Sequence, residues 1–113
     1  MNPEIKSKWV AALRSGKYKQ TKNVLRNRDS FCCLGVLCNL HAKAHPEIAV
    51  RQRDKAMYLG NTRFLPVEVQ KWAEFSSRSG VLPCHVDGLT TLAEMNDSGK
   101  TFEAIAKVIE TQL

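Results

Sequence analysis

Apolar residues recur at helical spacing at both ends of the chain. Ile5, Trp9, Val10 and Leu13 define one face of a first helix, with Asn2 as its cap, Pro3 at the first helical position, Glu4 in the first turn and Gly16 as its stop. Phe102, Ile105, Ala106, Ile109 and Leu113 form an equally clean stripe in a last helix capped by Thr101. Between them, Phe31 to about Ala44 is apolar on nearly every side through Leu40, which predicts a central buried helix capped by Asp29 or Ser30 and ended by Pro46. Pro66 opens a third helix to about Phe75, with Val69, Trp72 and Ala73 inward, and a short helix falls near Leu89–Asn96. The remainder reads as connection. Residues 17–27 break the pattern, with Tyr18 to Thr21 extended or irregular; 47–55 and 76–80 read as loops, and Val81 to Asp87 as extended. Met57-Tyr58-Leu59 and Arg63-Phe64-Leu65 flank Gly60-Asn61 and suggest one short hairpin. The expectation is a mainly α fold: a single small domain over 1–113 with about five helices, and one β-hairpin at most.

Length and composition limit the function classes. At 113 residues, with 43% hydrophobic and 25% charged positions, the chain has room for one core but not for separate cofactor and substrate lobes. No apolar run approaches the roughly 20 residues of a membrane span. Met1-Asn2-Pro3-Glu4 leads straight into the amphipathic pattern, without a charged-then-apolar leader. A soluble protein of a reducing cytoplasm is the expectation.

Charge is distributed unevenly. Residues 1–56 hold 12 Lys/Arg and 4 Asp/Glu, a balance of +8, whereas 57–113 hold 5 and 7, a balance of −2. Eight basic residues and no acid lie between Glu4 and Asp29. This favours an anionic partner over a merely solubilising surface, with Arg14, Lys17, Lys19, Lys22, Arg26 and Arg28 as contacts and Tyr18 as the aromatic available for stacking.

Other candidate chemistry is weaker. Cys38, His41 and His45 would share a helix face, but the spacing fits no standard zinc pattern, and Cys32, Cys33 and Cys38 read better as small core hydrophobes. Cys84-His85 lacks the geometry of a nucleophile and its base. Asp97-Ser98-Gly99-Lys100-Thr101 imitates the end of a phosphate-binding loop, but Glu94 stands where the motif requires glycine. A secondary anion site at Lys100 and Thr101, beside the free amides of the last helix, is what survives. That helix carries Glu103, Lys107 and Glu110 on its polar face, unsuited to reading DNA. No catalytic residue, metal site or cofactor is assigned, and paired carboxylates or a histidine-based triad are lacking for a nucleotide-processing enzyme.

The segments Trp9-Val10-Ala11-Ala12-Leu13-Arg14-Ser15-Gly16-Lys17-Tyr18-Lys19-Gln20, Phe31-Cys32-Cys33-Leu34-Gly35-Val36-Leu37-Cys38, Leu65-Pro66 and Met95-Asn96-Asp97-Ser98-Gly99-Lys100-Thr101-Phe102 together resemble short accessory proteins of tailed bacteriophages and prophages. The resemblance implies a viral product in a host bacterial cytoplasm. It would be a non-enzymatic inhibitor of host defence that binds a nuclease complex or its RNA, or sequesters a signalling nucleotide. A general nucleic-acid-binding module for phage replication or regulation is the alternative.

Overall fold

The structure, a computed structural model, describes residues 1–51 and 56–113. Helix α1 (Pro3–Arg14) starts as its sequence dictates: the Asn2 side chain accepts from the amides of Glu4 and Ile5, and Ile5, Trp9, Val10 and Leu13 are buried. Helix α6 (Phe102–Gln112) is capped by Thr101 and buries Phe102, Ile105, Ala106 and Ile109. The two helices pack along each other, and α1 also packs against the central helix α2 (Cys33–Ala44). Helix α2 buries Cys33, Leu34, Gly35, Val36, Leu37, Cys38 and His41, so it offers little surface to water. The indole N–H of Trp9 donates to the Cys33 carbonyl at 2.9 Å, which satisfies a polar group inside the core. Trp9 also meets Phe75 edge-on at 5.6 Å.

The mainly helical expectation is corrected: the described residues form six helices and five short strands in two sheets. Strands β1 (Lys19–Gln20), β2 (Arg26–Asn27) and β3 (Ser30–Phe31) form a three-stranded sheet in the order β1-β3-β2, parallel for β1 with β3 and antiparallel for β2 with β3. Strands of two residues are too short to show an alternating pattern; β2 and β3 meet across the turn Arg28-Asp29, and β1 pairs only where the chain is brought back. Ser30 and Phe31 are therefore strand rather than the opening of α2, and the cap is the Cys32 thiol, accepting from the Gly35 amide at 3.3 Å.

The expected hairpin at 57–65 is a tight turn instead. Tyr58 and Asn61 exchange backbone hydrogen bonds of 2.7 and 3.0 Å around Leu59 and Gly60, both at positive φ. Beyond the turn, the Thr62 carbonyl accepts from Leu25 and the Leu65 amide donates to Arg78. The longer hairpin among the described residues is β4 (Val81–Val86) with β5 (Leu89–Thr91), joined by Asp87-Gly88 at φ 50° and 79°, the left-handed pair that a two-residue hairpin turn requires.

Helix α5 (Leu92–Asp97) is correspondingly shorter than expected at its start. Pro46 ends α2 but also opens a short helix α3 (Pro46–Arg51), and the rest of the loop expected at 47–55 lies outside the described residues. Helix α4 (Val67–Ala73) follows Pro66 and stops before Phe75, because Glu74 turns left-handed. Among the described residues no helix is long and apolar enough to cross a membrane.

Candidate functional site

The basic segment is a connector built on a buried amide. After α1, Gly16 at φ 76° redirects the chain into β1. The side chain of Asn96, inaccessible to solvent, then ties the connector to the helices. Its Oδ1 accepts from the Cys33 amide at 3.1 Å and from Gln20 Nε2 at 2.9 Å, and its Nδ2 donates to the Thr21 carbonyl at 2.7 Å. Asp97 adds an acceptor for the Asn23 amide at 2.8 Å. Leu25 plugs the core, with its carbonyl held by the Cys32 amide at 3.1 Å. These bonds orient the basic side chains outward, and they divide the predicted contacts into free and engaged groups.

Lys17, Lys19, Lys22 and Arg28 are exposed, and among the described residues none has a carboxylate within ion-pair distance. Lys19 and Arg28 are brought together by the sheet on one shallow depression, with Asn27, Asp29 and Ser30. Arg26 is more confined: its guanidinium lies 4.7 Å from the Phe31 ring centroid and 3.9 Å from Asp29. Arg14 leaves the group. It pairs with Glu103 at 3.1 Å and Glu110 at 3.0 Å across the α1–α6 contact, which holds its pKa up and that of Glu110 down. Tyr18 is half-buried, edge-on to Phe31 at 5.1 Å, with its hydroxyl accepting from Asn39 at 2.7 Å. The tyrosine is thus a packing group that anchors the connector.

The second predicted anion site has its own acid. Lys100 is bonded to Asp87 of the hairpin turn, which lowers the Asp87 pKa, and the Thr101 hydroxyl is spent on the Ala104 amide at 3.1 Å. The three buried thiols are poorly placed for nucleophilic chemistry. Burial pushes Cys32 up to about 11 and raises Cys33 and Cys38 well above the ordinary thiol range. Cys84 is exposed on β4, and its amide donates to the Gln112 side chain at 3.0 Å. His41 bonds the Tyr58 hydroxyl at 2.7 Å, and the stacked His45 bonds the His41 carbonyl at 2.8 Å. Among the described residues no three His, Cys, Asp or Glu side chains converge as a metal site.

A cleft escaped the sequence reading. It encloses about 150 Å³ between α2, the β2–β3 turn region and the 57–58 segment, with Leu25, Phe31, Gly35, Cys38 and Tyr58 among its walls. Gly35 was its one legible sign. A Cβ there would fall 1.7 Å from the Leu25 carbonyl oxygen, so the helix and the connector can touch only through a residue without a side chain.

A family model described as a domain of unknown function (DUF8296) matches residues 1–113. Of the curated proteins and the solved structures compared with the chain, none matches.

Proposed function

The chain belongs to this family, and we propose that in it the fold serves as a non-enzymatic binding protein of phage or prophage origin. It antagonises a host defence function in the bacterial cytoplasm by engaging an anionic partner. Lys17, Lys19, Lys22 and Arg28 make the contact, with Arg26 at its edge. The observation that carries this reading is the contrast among the cations. Arg14 and Lys100 are neutralised by Glu103, Glu110 and Asp87, whereas the connector presents four cations without an acid partner among the described residues. Exposed like charges gathered on one segment repel one another, and an approaching anionic surface relieves that repulsion.

Affinity capture from phage-infected bacteria, with the natural protein and a Lys17→Glu/Lys19→Glu/Arg28→Glu variant, tests the reading. A host component retained at low salt should be lost at about 0.5 M salt and lost with the variant. Equal capture by both proteins refutes it. Retardation of generic DNA or RNA by the natural protein at low salt, abolished in the variant, would replace host antagonism with the general nucleic-acid-binding alternative.

A further inference from the structure

The cleft beside Arg26 adds an apolar element to the basic face. Its volume of about 150 Å³ is that of a cavity able to take a benzene ring. Leu25, Phe31, Cys38 and Tyr58 are buried side chains of its walls, and Met57 is an exposed one. Two of its polar members are engaged: the Asn39 side-chain nitrogen donates to Tyr18, and the Tyr58 hydroxyl is bonded to His41. A nucleobase carries several polar groups into this mainly apolar space and needs a partner for each, whereas a hydrocarbon group loses nothing on entering. Among the described residues no lining residue is acidic, and the Arg26 guanidinium, lying over the Phe31 ring, donates to the carbonyl of Arg28, which shares a depression with Lys19.

We propose that the anionic partner is an acidic protein segment whose aromatic or branched aliphatic side chain seats in this cleft, while its flanking carboxylates meet Arg26, Arg28 and Lys19. This rests on the reading of the connector as the partner-binding face and names the chemistry of the partner. Burying one such side chain strengthens binding roughly ten- to a hundredfold over charge alone.

The test titrates isotopically labelled protein with the blocked peptide Glu-Glu-Phe-Glu-Glu, its Glu-Glu-Ala-Glu-Glu counterpart and a short uridine oligonucleotide, following backbone amide shifts. The phenylalanine peptide should shift Leu25, Gly35 and Cys38 and bind at least about tenfold more tightly than the alanine peptide. Ala42→Leu, which fills the cleft from α2 and leaves the basic residues untouched, should abolish that difference. Met57→Ala, an exposed wall residue whose loss spares the core, should narrow it and decides the matter if Ala42→Leu does not fold. Equal binding of both peptides, or a preference that survives these substitutions, overturns the cleft while leaving the basic face standing. Binding of the oligonucleotide alone likewise removes the protein partner. If no probe moves the cleft amides, this proposal fails whatever the capture experiment gives; the basic-face reading fails only with the charge-reversal variant.

Discussion

Replacing Asn96 by alanine removes the group on which the whole basic connector is hung. The Cys33 amide loses its acceptor inside the core, at a cost of about 1–3 kcal/mol for a buried unsatisfied donor. The Gln20 amide and the Thr21 carbonyl lie nearer the surface and recover water, so each adds about 0.5–1 kcal/mol. With the small void left by the truncated side chain, the expected destabilisation is about 3–4 kcal/mol, a large part of the roughly 5–15 kcal/mol available to a domain. Urea unfolding at neutral pH, followed by tryptophan fluorescence, reads this directly. Gln20→Ala serves as the internal comparison. Its side chain is exposed and bonds only Asn96 and the Lys100 carbonyl, so it should cost no more than about 1 kcal/mol. Hydrogen exchange supplies the second readout, with the connector amides of Thr21 and Asn23 opening faster in Asn96→Ala. A loss below about 1 kcal/mol, or one equal to that of Gln20→Ala, would show that Asn96 does not anchor the connector.

Burial, aided by the stacked His45 and opposed by Glu68 and Glu47, pulls the His41 imidazole down from 6.5 to about 4. Because the unfolded chain takes up this proton at higher pH, the stability tied to neutral His41 is complete above about pH 6.5 and drains as pH falls toward 4, with about 2 kcal/mol gone by pH 5. His41→Gln should flatten this part of the stability-against-pH curve; an unchanged slope between pH 7 and 5 would assign the loss to other groups. Gly35→Ala forces a methyl group into the Leu25 carbonyl and should cost about 3 kcal/mol or more in chemical denaturation, and a near-neutral result would contradict the close approach of α2 to the connector.

Helical elements were legible wherever the signal was local. In α1 and α6 the cap residue and the apolar stripe lie within a dozen positions, and the structure keeps both. The apolar run of α2 announced its own burial, cysteines included. Of the strands, β4 falls in the stretch expected as extended, but the three-stranded sheet was hidden because its strands are two residues long and β1 meets β3 only where the chain returns. The β2–β3 and β4–β5 pairings are local; in the second, Asp87-Gly88 is a strong turn signal, and Gly60-Asn61 drew the hairpin expectation to the wrong place.

The excess of cations in the first half of the chain, and the absence of acid from residues 5–28, were determined by the sequence alone. Which of those cations remain available was decided only in the tertiary structure. Arg14 meets Glu103 and Glu110, 89 and 96 residues away, while Asn96 holds the connector so that Lys17, Lys19 and Lys22 face water. A count of charges adds along the chain regardless of folding, but neutralisation depends on distances of a few ångströms between residues remote in sequence. The cleft has the same origin, because its walls come from segments that meet only when Gly35 lets α2 approach Leu25.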